Sequence, residues 1–169
     1  MTREYLEGSH KLESEYASYL EERYQGEVYG EALFATMASA CSDPERVRKL
    51  RLLEQLERET KDFLRPLVKA VGYSGEESAA RIADGEQLGG QLANAPWADL
   101  MKGFVPELER FVQEFEQAEA LAPPGKENEL RHVTAHERAL LEFSQRELSG
   151  DEQGSLDAVL VLLREPPSA

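Results

Sequence analysis

Ala40-Cys41-Ser42-Asp43-Pro44-Glu45 is the stretch that decides the fold, because it separates two long helical patterns with almost no loop. Ser42 or Asp43 suits a helix N-cap, Pro44 fits a first helical turn, and Glu45 favours the positive end of the helix dipole. A helix must therefore start immediately after one has stopped, and the two fold back antiparallel. Upstream, the 3.6-residue period predicts a first long helix over Leu12 to Ala40, with Tyr16, Leu20, Tyr24, Glu27, Glu31, Phe34 and Ala38 on its inward row. Downstream, a second runs from Pro44 to Val71 with Leu50, Leu53, Glu57, Thr60, Leu64 and Leu67 inward, and Gly72 ends it.

Residues Tyr73 to Ala95 read as a long connection holding a short helix, opened by Ser74-Gly75-Glu76-Glu77 and broken up by Gly85, Gly89 and Gly90. A third long helix is expected from Pro96-Trp97 to Leu121, carrying the stripe Trp97, Met101, Phe104, Leu108, Phe111, Phe115 and Ala118. After the turn Pro123-Pro124-Gly125, a fourth covers Glu127 to Leu148 with Leu130, Val133, Glu137, Leu140, Leu141 and Ser144 inward. Ser155 is placed to cap a short last helix through Leu163, with Glu165-Pro166-Pro167 fraying beyond it. The fold class is all-α: four long helices joined by a short loop, a long crossover and a short loop, within a single domain over 1–169 whose core spans about 12–149.

A chain of 169 residues with net charge −14 can bury a core and repels nucleic acid and anionic membrane surfaces. The basic run Arg46, Arg48, Lys49 and Arg51 reads as a solvated face, and His10 as a surface residue. Cys41 is the only cysteine, which fits a reducing compartment; the N-terminus is charged from Arg3 onward, no apolar run reaches membrane-spanning length, and a cytoplasmic location is expected.

Carboxylates on rows that should be apolar are the informative feature. Glu27 and Glu57 each lie fifteen residues from Ser42, so at about 1.5 Å of rise per residue they share a level near mid-bundle. His136 and Glu137 fall near the middle of the fourth helix, with His132 one turn earlier on the same face. Glu31 and Glu54 form a second possible pair one turn nearer the loop. Buried acids cost several kcal/mol each unless a cation or hydrogen-bond donors compensate. Metal ligation, a satisfied buried hydrogen bond or ion pair, and a helix phase that turns these acids off the core row are the competing explanations. Gly26 and Gly30, costly in a helix at about 1 kcal/mol each, would be explained by close helix approach, by room beside Glu27 or, equally simply, by a tolerated kink.

Gly26-Glu27-Val28-Tyr29-Gly30-Glu31-Ala32 is similar to the first metal helix of demethoxyubiquinone hydroxylases, and the helical core resembles the ferritin-like superfamily of di-iron carboxylate bundles, rubrerythrins and bacterioferritins among them. The resemblance implies one Glu on each of two helices and Glu-x-x-His on each of the other two. Glu27 matches a single Glu; Glu57-x-x-Thr60 has Thr where His belongs; Glu129-x-x-His132 matches formally but lies in a first turn. The third helix offers Glu107, Glu109 and Glu114. The metal residues expected on this basis are Glu27, Glu57, His132, His136 and Glu137, holding iron or manganese in an oxidoreductase or oxygen-handling enzyme. The partners expected are the metal ion, oxygen or a small-molecule substrate, and a second copy in a homodimer. The alternative is a metal-free bundle acting as a binding or oligomerisation module.

Overall fold

The computed structural model describes residues 3–164, with side chains from Lys11 to Leu163. The expectation for the His10 side chain therefore lies outside the described side chains, and that for Glu165-Pro166-Pro167 outside the described residues. Six helices account for the order of elements: α1 Arg3–Ala40, α2 Pro44–Ala70, α3 Ala79–Leu92, α4 Trp97–Ala120, α5 Glu127–Ser149 and α6 Asp157–Arg164. No strand occurs among the described residues, and none of their helices is long and apolar enough to cross a membrane.

The turn between α1 and α2 is built as its residues dictate. Asp43 accepts hydrogen bonds from the backbone N–H groups of Glu45 and Arg46 at 3.0 and 3.1 Å, and Pro44 occupies the first turn. α1 starts nine residues before the expected Leu12, since Arg3 to Lys11 contain good helix formers and no proline to stop them.

Two apolar clusters give the helix directions. One joins Leu33 and Met37 of α1, Leu50 and Leu53 of α2, Met101 of α4 and Phe143 of α5. The other joins Tyr16 and Leu20 of α1, Leu64 and Val68 of α2, Phe115 of α4 and Leu130 of α5. Hence α1 and α5 run one way, α2 and α4 the other, and the connection between α2 and α4 traverses the length of the core. Leu156 and Val159 close the first end through the α6 segment. Each fully buried Leu or Phe contributes about 1.5–3 kcal/mol, so these two clusters hold the helices together. A polar layer lies between them.

The crossover differs from expectation in two ways. The short helix begins after Ser78, whose hydroxyl accepts from the Arg81 N–H, while Ser74 instead caps a local turn at the Glu76 N–H. Gly85 and Gly89 do not break α3: both lie inside it and press on the α1 backbone. A Cβ on Gly85 would stand 2.4 Å from the Tyr29 carbonyl oxygen, and one on Gly89 2.8 Å from that of Leu33. They are one helical turn apart, so together they let α3 dock closely against the α1 backbone and its Ala32 and Thr36 side chains.

Smaller corrections follow from packing. Val68 rather than Leu67 is fully buried on α2. Ser155 does not cap α6, because its hydroxyl hydrogen-bonds to Glu147. Lys49 is not solvated: it is 3% exposed and pairs with Glu147.

Candidate metal centre

The polar layer draws one side chain from each of three helices. Glu27 of α1, Glu57 of α2 and His136 of α5 are 3%, 4% and 1% exposed. One ligand atom from each lies within 4.8 Å of the other two. His136 Nε2 stands 3.4 Å from Glu27 Oε2 and 3.3 Å from Glu57 Oε1. Despite these distances, Nε2 and Glu27 Oε2 have no hydrogen-bond partner among the described residues. They approach one another without the alignment a hydrogen bond requires.

Two neighbours shape the cluster. His136 Nδ1 is 2.8 Å from Thr60 Oγ1, which pins the ring so that Nε2 faces the two acids. Thr60 thus takes the His position of the Glu-x-x-His frame and orients the histidine of another helix. Gly30 lies against Glu57, where a Cβ would come within 2.1 Å of Glu57 Oε2. The space expected beside Glu27 is in fact used by Glu57. Gly26 has nothing within 4 Å of its missing Cβ, so close helix approach does not explain it.

Burial raises the Glu27 carboxyl well above the usual range; the His136 charge opposes this, and the charges of Glu57 and Glu137 add to it. Glu57 is likewise pushed up by burial and by Glu137, while its hydrogen bond with Glu27 favours its ionised form. Each carboxyl is therefore pushed toward its protonated form whenever no cation is present. Burial also raises Glu137, against the charges of His136 and Arg23.

The remaining expected residues are placed as follows. Glu137 is buried beside the cluster, its Oε2 lacking a hydrogen-bond partner among the described residues, but it is not one of the three that converge. His132 is half-buried, its ring edge-on to Phe63 at 4.5 Å, and burial and the His136 charge lower its pKa. Glu31 pairs with Arg58 and Lys61, and Arg58 also binds Glu54, so that second pair of acids is bridged by arginine. Glu129 binds Tyr16 and Lys126. Tyr24, a candidate to touch the site, donates instead to the Gly75 carbonyl at 2.7 Å.

On α4, Glu107 and Glu114 are exposed on either side of Arg110, Glu109 is exposed too, and none reaches the cluster. What α4 offers is apolar: Phe104, Leu108 and Phe111 face α1 across a cavity of about 680 Å³ whose floor includes Glu27, Glu57 and Glu137. Reading α4 as a plain core stripe missed this cleft. The signal was present in Gly26 on the opposing wall, since a helix position without a side chain leaves space. Comparison with family models, with curated proteins and with solved structures gives no match for this chain.

Proposed function

We propose that the chain is a ferritin-like helical bundle whose polar layer binds a transition metal, iron or manganese, and serves an oxidoreductase or oxygen-handling reaction. The convergence of Glu27, Glu57 and His136 carries this reading: three buried ligand atoms from three helices within 4.8 Å, two of them without a hydrogen-bond partner among the described residues. The donor set suits a divalent first-row ion, because two carboxylates neutralise its charge and a neutral imidazole completes a mixed nitrogen–oxygen shell. Three protein ligands also leave coordination positions open, as catalytic centres require. Such an ion supplies one-electron chemistry toward oxygen when bound. The chain's own residues hold it, with Thr60 orienting His136 and Gly30 admitting Glu57.

A second reading rests on the raised carboxyls. With burial pushing Glu27 and Glu57 toward their protonated forms, the layer carries less charge without metal, as a structural or binding module would need. Anaerobic ferrous titration of chelator-treated protein separates the two. The metal reading expects saturable mononuclear uptake, ferric absorption on admitting oxygen, and loss of both in the Glu27→Ala, Glu57→Ala double variant. Uptake that survives the double variant would place the metal elsewhere, and no uptake at all would leave the metal-free module.

A further inference from the structure

We propose that the cleft between α1 and α4 seats a drug-sized, largely apolar molecule carrying one hydrogen-bond donor, which it presents to Glu137 beside the metal centre. The inference rests on the metal reading for its consequence, not for its geometry. The cavity of about 680 Å³ falls in the range of small-molecule sites. It is bounded by five of the chain's own helices, α1 to α5, with Leu33, Leu88, Phe104, Leu108 and Phe111 among its walls.

Three observations define the occupant. The apolar walls call for a ring or alkyl body. Glu137 lines the cavity, is 9% exposed, and its Oε2 has no hydrogen-bond partner among the described residues; a carboxylate oxygen in that position calls for a donor such as a hydroxyl. Exposed Glu22, Arg81 and Glu107 rim the cavity, which makes that side the polar mouth. The molecule therefore enters between α1 and α4 and places its donor at the floor, next to Glu27 and Glu57. Gly26 belongs to this wall: it leaves the passage open, which accounts for a glycine that no packing contact demands.

The test uses the full chain, with 2-naphthol as the probe and naphthalene as its donor-free counterpart, measured by calorimetry with and without metal. Wild-type protein is expected to bind 2-naphthol saturably and roughly tenfold or more tighter than naphthalene, as a hydrogen bond to a buried carboxylate implies. Gly26→Leu puts a side chain into the cleft without a clash at Cβ and should weaken both probes at least roughly tenfold. Leu108→Trp narrows the cleft from α4 and provides the same readout should Gly26→Leu fold poorly. Glu137→Leu should remove the preference for 2-naphthol while keeping naphthalene binding. No saturable binding to wild type, or binding unaffected by both wall variants, overturns the cleft; equal affinity for the two probes overturns the role of Glu137. Ferrous titration of Gly26→Leu keeps the two readings apart, since lost probe binding with intact metal uptake concerns the cleft alone. Lost metal uptake in wild type with intact probe binding concerns the metal alone.

Discussion

Toward the α6 end of the core, Lys49 donates to Glu147 Oε1 at 2.6 Å, Trp97 Nε1 donates to Oε2 at 2.7 Å, and Ser155 adds a further hydrogen bond. In the mid-core layer, Glu27, Glu57, Glu137 and His136 are buried as deeply, yet three acids face one histidine and, at Glu137 alone, Arg23, and several polar atoms have no partner among the described residues. The first cluster pairs one cation with one anion and occupies both carboxylate oxygens, so nothing further is required of it. The second is short of positive charge. Depth of burial is the same in both and does not distinguish a structural ion pair from a binding site; the balance of charge and donors does.

The largest expected effect breaks the balanced cluster. Lys49→Met leaves Glu147 buried without its cation and should cost about 3–5 kcal/mol in urea denaturation. The double variant Lys49→Met, Glu147→Leu should recover much of that loss, because it removes both charges together. A single variant as stable as wild type would mean that Trp97 and Ser155 alone sustain the carboxylate.

The unbalanced cluster should respond in the opposite sense, and differently with metal. In chelator-treated protein, Glu57→Leu removes an awkward buried acid, so stability should hold or rise. In metal-loaded protein the same change forfeits the stabilisation that the ligand gives, about 2.7 kcal/mol at a free metal concentration of 100 times its dissociation constant. Equal melting shifts with and without metal would place no metal at Glu57.

The contrast between the clusters also explains what was legible in advance. Glu27 and Glu57 stood out because each interrupts an apolar row at equal distance from a turn that Ser42, Asp43 and Pro44 announce. His136 could be placed near that level by counting along its helix. Lys49 could not be separated from Arg46 and Arg48, since its partner Glu147 lies 98 residues away and no local pattern couples them. The glycines of α3 misled for a related reason: Gly85 and Gly89 look like breakers by propensity, but the α1 backbone they touch makes the absence of a Cβ an advantage. The Glu-x-x-His frame led to His132, while the imidazole that meets the acids is His136, four residues further on, with Thr60 filling the gap left on α2.

That substitution supplies the third prediction, smaller because it acts through another residue. Thr60→Val keeps the shape of the side chain but removes its hydrogen bond to His136 Nδ1. The ring loses its fixed orientation, and metal affinity should fall roughly 10- to 100-fold while the helices still pack. Metal titration checks the first part and chelator-treated melting the second. An unchanged affinity would show that packing alone holds the ring.

The smallest effect is a slope rather than a step, and it needs no metal. In chelated protein, Glu27 and Glu57 have folded pKa values raised above their unfolded ones. Below about pH 4, near the ordinary carboxylate value, both states keep these protons and the acids cost nothing. As pH rises from there, the unfolded chain releases its protons while the folded one retains them, so stability falls until the raised values are passed and then levels off. Glu77 acts in the reverse sense, its carboxyl held low by Lys61 and Arg65, but its contribution is complete above the same starting point. His132, lowered by burial, adds stability as pH rises toward about 6.5 and partly masks the decline. Subtracting the profile of Glu57→Gln from that of wild type cancels His132 and Glu77 and leaves the dyad together with Glu137, whose charge raises both acids. The difference should grow with pH at no more than about 1.4 kcal/mol per unit for each proton involved. A flat difference between pH 4 and 8 would mean that the two acids are already balanced, as the Lys49–Glu147 pair is, and that the layer needs no cation.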